Sequence, residues 1–156
     1  MNEVLANKIA AGEVIERVSS VVKELVENSI DANAKSIKID LIDSGIKSLS
    51  VTDDGVGMDR EDAKLAFSRH ATSKLWKDDV VFFINTLGFR GEALPSIASV
   101  SKVRLKTSTG GVGTEIIING GKLISVNDSD ARRGTLFTVS DLFYNTIVLL
   151  YFFWGV

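Results

Sequence analysis

The second half of the chain constrains the fold most. From residue 102 onward, four runs that alternate apolar and polar residues (102–107, 113–119, 122–127 and 135–140) are punctuated by Gly110-Gly111 and Asn119-Gly120-Gly121. A period of two marks strands with one buried face and one wet face, and short glycine turns join antiparallel neighbours. Two further strand-like runs, 36–43 and 47–52, flank Ser44-Gly45, which reads as a hairpin connection.

Helical patterns precede and interrupt these strands. Leu5, Ile9, Val14 and Val18 predict a first helix over 4–17. A second begins after Ser19 or Ser20, both good N-cap residues, and runs to Ala32, with Val21, Val22, Leu25, Val26 and Ile30 spaced for one face. A third covers 59–67, where Asp59, Glu61 and Asp62 suit the positive end of the helix dipole. A fourth covers 91–100, with Pro95 in its first turn. The stretch 68–89 has no regular pattern and reads as a lid or binding loop. The expected class is α+β, a two-layer sandwich in which helices back one mixed sheet.

Composition narrows the function. The chain has 156 residues, no cysteine and one histidine, so a disulfide framework and a thiolate metal site are excluded and a zinc centre is not expected. Eighteen basic and twenty acidic residues leave a net charge of −2, which advertises no general affinity for nucleic acid. The start carries no basic segment followed by an apolar core, so no export signal is expected and a cytoplasmic location is the default, or a nuclear one in a eukaryote.

Four places could carry chemistry. Glu24, Asn28 and Asp31 share one helix face by their spacing, expected opposite much of the valine–leucine face. An amide oxygen suits Mg²⁺ and a neighbouring carboxylate can take a proton from water, although such a triplet is also an ordinary solvated face. Asp53-Asp54-Gly55-Val56-Gly57 ends a strand; its glycines admit a ligand close to the backbone, and an aspartate there can accept from an exocyclic amine. Gly88-Phe89-Arg90-Gly91-Glu92 opens a helix, a place suited to anions. Upstream, Arg69, His70, Thr72, Ser73 and Lys74 add cations and hydroxyls. Arg133-Gly134-Thr135 opens a strand, and Thr135 can hydrogen-bond a ligand.

The order of these pieces resembles the ATP-binding (Bergerat-type) fold shared by gyrase, a class of heat-shock chaperones, histidine kinases and MutL. RHATSK (69–74) and GFRGEAL (88–94) are similar to the MutL mismatch-repair family and have no role in histidine kinases. IAAGEVIER (9–17), VKELVENSIDA (22–32) and DLFYNT (141–146) are similar to it too. The resemblance spans about residues 4–146, an ATP-binding domain over 1–146. It implies ATP and Mg²⁺ as cofactors, Glu24 as general base and Asn28 as the Mg²⁺ ligand. It places Asp53 on the adenine amine, with Gly55, Gly57 and Thr135 shaping that pocket. Thr72, Ser73, Lys74, Arg90, Gly91 and Glu92 would belong to a lid over the phosphates. The family uses ATP binding and hydrolysis to switch conformation and to dimerise, as a homodimer or with a paralogous MutL-type subunit, and it signals to other mismatch-repair factors.

The chain also departs from that pattern. The family continues DLFYNT with a proline and basic residues, whereas here Ile147-Val148-Leu149 follows, and Val18 stands where a proline is common. The N-terminal arm is a few residues short. The domain that supplies a lysine to the γ-phosphate and the C-terminal dimerisation domain are missing from 156 residues. The expectation is retained nucleotide binding with slow turnover, and weak, salt-dependent DNA binding at most. Nine of the last ten residues are apolar and four of the chain's twelve aromatics are among them. This 147–156 tail reads as a final strand, an altered reading frame or an anchor for a partner or a membrane, and it is too short to span a bilayer. A nucleotide-binding remnant without hydrolysis and a protein that associates through this tail are the alternative readings.

Overall fold

A computed structural model describes residues 3–68 and 93–145, with side chains of the first helix from residue 17 onward. Helix α1 (Glu3–Asp31) leads into strand β1 (Ile37–Ile42), a 3-10 turn (Asp43–Gly45) and β2 (Ser48–Asp53). Helices α2 (Arg60–Ala66) and α3 (Ala93–Ser99) follow, and then β3 (Lys102–Ser108), β4 (Gly113–Asn119), β5 (Lys122–Ser129) and β6 (Gly134–Ser140). The class is α+β, as expected. The sheet is more uniform than expected: its order is β1-β2-β6-β3-β4-β5, and every pairing is antiparallel, not mixed. Consecutive strands β1–β2, β3–β4 and β4–β5 are joined by short turns, which only antiparallel pairing permits. The last strand then inserts between β2 and β3, tying the two halves together.

The sequence splits helix α1 in two at Ser19-Ser20, but it is one helix of 29 residues. The apolar stripe passes through that point (Val18, then Val21 and Leu25, all buried), and packing of the stripe outweighs the N-cap preference of two serines. The helix ends at Asn33, whose φ of 60° places it in the left-handed conformation. There Asn33 N–H reaches Ile30 O at 3.0 Å and Ala34 N–H reaches Ser29 O at 3.1 Å, a Schellman cap with asparagine in the usual glycine position. Ser44-Gly45 lies in the hairpin connection between the antiparallel β1 and β2, as expected. Asp43, Ser44 and Gly45 all have positive φ, which builds the 3-10 turn.

Strand register sorts the sheet into two faces. On one, Leu49, Val139, Val103 and Ile118 form a row, and Val51, Phe137, Leu105 and Ile116 form the next. All eight are buried, beneath a layer that includes Val18, Val21 and Leu25 of α1, Ala63 of α2, Ile97 and Ala98 of α3, and Leu142 and Phe143. Phe67 meets Phe137 edge-on, with 6.2 Å between ring centroids. The opposite face carries Thr52, Ser50, Thr138, Arg104, Lys106 and Glu115, the polar alternates of the same strands. Asp59 caps α2 by accepting from Asp62 N–H at 2.8 Å, the role its composition predicts. Among the described residues, no helix is long and apolar enough to cross a membrane.

Candidate functional site

The apolar core face changes character at one end. Continuing the two buried rows along the strands, the third row reads Asp53 on β2, Thr135 on β6, Thr107 on β3 and Thr114 on β4. The three threonines are buried and Asp53 is half-buried. Buried polar groups require partners, and Asp53, Thr107 and Thr135 find them in Ser29 of α1, in backbone groups of the adjoining loops and in one another.

Asp53 is held from two sides. Ser29 of α1 donates its hydroxyl proton to Oδ2 at 2.6 Å, and Gly55 N–H donates to Oδ1 at 2.9 Å. Each carboxylate oxygen keeps a lone pair for a further donor. Ser29 is 3% exposed and lies one residue beyond Asn28, so the helix that carries the candidate metal ligand also aims the candidate base-recognition group. Its hydroxyl was not singled out from sequence, because a serine within a helix carries no signal of what it faces across 24 residues of chain.

The loop after β2 is stapled to the end of α1. Val56 N–H donates to Ala32 O at 2.9 Å. Asp54 Oδ1 accepts from Lys35 N–H at 2.8 Å and Ser36 N–H at 2.9 Å, and these amide donors hold its carboxyl below the usual carboxylate range. Gly57 (φ 70°) and Gly134 (φ 125°) are required by close backbone approach: a Cβ on Gly57 would lie 1.9 Å from Ser108 O, and one on Gly134 2.1 Å from Asp53 O. Gly57 and Gly134 therefore let strands and loop close around the polar row, and at Gly55 a Cβ would lie 2.7 Å from Ala32 O at the end of α1.

The expected face of α1 is graded and not opposite the apolar side. Glu24 is 2% exposed and lies among the core residues Val21 and Leu25, Asn28 is half-buried, and Asp31 is exposed. Residues 24 and 31 lie only about 20° apart around the helix, so the gradient runs along the axis: Glu24 sits within the packed part of α1, whereas Asp31 is its last residue. Thr135 sits at the strand opening as expected, opposite Asp53 in register. Thr72, Ser73, Lys74, Arg90, Gly91 and Glu92, together with the irregular stretch and the apolar tail, lie outside the described residues.

A separate cleft of about 470 Å³ opens at the same end of the sheet. It reaches Asp53 and Thr135, but Lys38, Thr52, Lys106 and Leu136, which also line it, belong to the outer face by register. The hydrogen bonds of Asp53 and Thr135 run to Ser29 and Thr107, on the core side. By register and by these hydrogen bonds, the polar row faces the helix layer.

Comparison with known proteins agrees with this geometry. The family model of histidine kinase-, DNA gyrase B- and HSP90-like ATPases matches residues 15–141. The DNA mismatch repair protein MutL of Bacillus pumilus is 56% identical over 147 residues, 94% of this chain and 23% of that protein. MutL of Bacillus licheniformis is 59% identical over 143 residues, 91% of this chain and 22% of that protein. The chain thus spans less than a quarter of the length of these relatives. Among solved structures, the Aquifex aeolicus MutL ATPase domain complexed with ADP superposes with a TM-score of 0.63 at 30% identity, covering 85% of this chain and 45% of that one. The N-terminal domain of a DNA repair protein gives 0.69 at 35% identity, covering 97% and 46%. With the fold, the polar row and the sequence match in accord, the chain belongs to the histidine kinase-, DNA gyrase B- and HSP90-like ATPase family and, within it, to the MutL mismatch-repair group.

Proposed function

We propose that the chain is the nucleotide-binding part of a mismatch-repair ATPase, holding ATP between the C-terminal half of α1 and the polar end of the sheet. The observation that carries this reading is the fixed carboxylate of Asp53. Ser29 and Gly55 occupy one lone pair on each oxygen and leave acceptors only, the complement of an exocyclic amine. Gly55 and Gly57 keep the loop close enough for the base to approach, and Thr135 completes the edge of the pocket. A relative of the same fold was solved with ADP, which supports a nucleotide as the ligand.

Asn28 fits Mg²⁺ that arrives with the phosphates. Among the described residues no three acidic or histidine side chains converge. A single half-buried amide oxygen suits a cation that keeps its waters and takes its remaining ligands from the nucleotide. When bound, Mg²⁺ supplies positive charge to the phosphates. Glu24, screened from bulk water one helical turn before Asn28, takes the proton of the attacking water. Thr72, Ser73, Lys74, Arg90, Gly91 and Glu92 complete the reading as phosphate and lid contacts. In this reading ATP binding and hydrolysis switch the conformation and the association of the protein, with a second MutL-type subunit and other repair factors as partners, in the cytoplasm. DNA is bound weakly by this chain alone.

A second reading is binding without effective turnover by the 156 residues taken alone, which span under half of the solved ATPase domains they resemble. The resemblance assigns a γ-phosphate lysine to a further domain, and these residues tested without such a charge would turn over orders of magnitude more slowly. One pair of substitutions separates the possibilities. Asp53→Asn is expected to abolish displacement of a fluorescent ATP analogue, whereas Glu24→Ala preserves displacement and removes any phosphate release. Equal binding by wild type and Asp53→Asn contradicts the proposed site. Binding with no phosphate release in the wild type selects the second reading.

A further inference from the structure

The hydroxyl of Thr107 makes three contacts that together determine its own polarity and that of its neighbour. It lies 3.0 Å from Gly134 O, 2.9 Å from Met58 N and 2.9 Å from Thr135 Oγ1. A carbonyl oxygen accepts only, so the one proton of Thr107 goes to Gly134 O. A backbone N–H donates only, so Met58 occupies one lone pair. For the third contact to be a hydrogen bond, Thr135 must donate into the remaining lone pair. Thr107 is fully buried, so water offers no competing arrangement.

The consequence falls on the ligand side. With its proton committed to Thr107, Thr135 has only lone pairs left. Across the register pair stands Asp53, which also has only lone pairs left. The pocket edge is then acceptors on both strands, so it welcomes an N–H₂ group and opposes a carbonyl oxygen. We propose that Thr107 is a positioning residue for base selectivity: by locking the Thr135 hydroxyl as its donor, it makes Thr135 an obligate acceptor and sharpens the preference for a 6-amino over a 6-oxo purine. This rests on the nucleotide-binding reading above. It goes beyond it in assigning selectivity to a residue that itself faces a backbone carbonyl, a backbone amide and a second threonine.

ADP and IDP differ at the purine 6-position, amino against oxo, and at N1, which carries a proton only in IDP; neither is turned over by an ATPase, so the change in their Kd ratio between wild type and variant, measured by calorimetry, reads the effect. Thr107→Val keeps the shape of the side chain and releases the Thr135 proton, which can then turn and donate to the oxo group. The IDP-to-ADP Kd ratio is expected to fall about tenfold, the effect of one hydrogen bond redirected in a shielded site. Thr107→Ser, which retains the hydroxyl, is expected to keep the ratio within about twofold of wild type. In a Thr135→Val background, Thr107→Val should change the ratio no further. Equal weakening of both nucleotides by Thr107→Val, or a further change in the Thr135→Val background, would assign Thr107 a purely structural role and overturn the inference. A wild type that binds neither nucleotide removes the underlying reading, and the inference with it. A neutron structure of the wild type tests the same point without any variant: the Thr107 deuteron is expected on the line to Gly134 O and the Thr135 deuteron on the line to Thr107. A Thr107 deuteron aimed at Thr135 refutes the inference.

Discussion

On a single face of a single sheet, two regions built from the same strands have opposite chemistry. Leu49, Val139, Val103 and Ile118, with Val51, Phe137, Leu105 and Ile116, make two rows that are apolar and sealed. One step along the strands, Asp53, Thr135, Thr107 and Thr114 make a row that is polar and nearly as well buried. Burial alone does not separate core from site. What separates them is whether every buried atom is satisfied: the apolar rows need only density, whereas the polar row needs a directed hydrogen bond for each oxygen and has groups left over for a ligand. In the proposed reading, this difference lets the fold add a binding site without giving up its core.

The largest way to test that division is to remove volume from the sealed part. Leu105 is fully buried in the row beside Thr107, and Leu105→Ala should destabilise the chain by about 2–5 kcal/mol in urea denaturation. Nucleotide affinity of the fraction that remains folded should stay within a few-fold of wild type. A large affinity loss without a stability loss would show that the two rows are not separable.

An intermediate effect is expected at the seam between helix and site. Ser29→Ala removes the donor 2.6 Å from Asp53 and leaves the backbone untouched. A hydrogen bond to an ionised group contributes about 1.5–3 kcal/mol, so ATP affinity should fall about tenfold or more, while thermal unfolding shifts by only a few degrees. Unchanged affinity would mean that Asp53 needs no aiming.

The smallest effect is a matter of pH. The carboxyl of Asp54 is held below its ordinary value by the Ser36 and Lys35 amides, and the group is fully exposed. A depressed pKa contributes stability that is present above the unfolded value and is lost as pH falls through the folded one. Wild type should therefore melt slightly above Asp54→Ala at neutral pH, and the gap should narrow below about pH 4, near the ordinary aspartate value. A gap that widens on acidification would reverse the assignment.

Much of this was legible in the sequence, for identifiable reasons. Alternation located all six strands to within two residues, and Asp59 marked the start of α2, because burial period and capping are local properties. Asp53 and Thr135 were found as motif members, and register brings them face to face. The unbroken α1 was missed because Ser19-Ser20 offered a local stop that tertiary packing overrode. The burial of Glu24 was missed because spacing gives a face and not its depth. Ser29 and Thr107 left no trace, since a hydroxyl becomes informative only when folding brings it to a partner, 24 residues away for Asp53 and 28 for Thr135.

The most direct test of the central claim is titration calorimetry of the intact chain with a non-hydrolysable ATP analogue and Mg²⁺, with Asn28→Ala in parallel. Micromolar binding that weakens in the variant is the expected result if the end of α1 and the polar row together hold a magnesium nucleotide. A chain that is folded by circular dichroism yet gives no binding heat, with or without Mg²⁺, would contradict it.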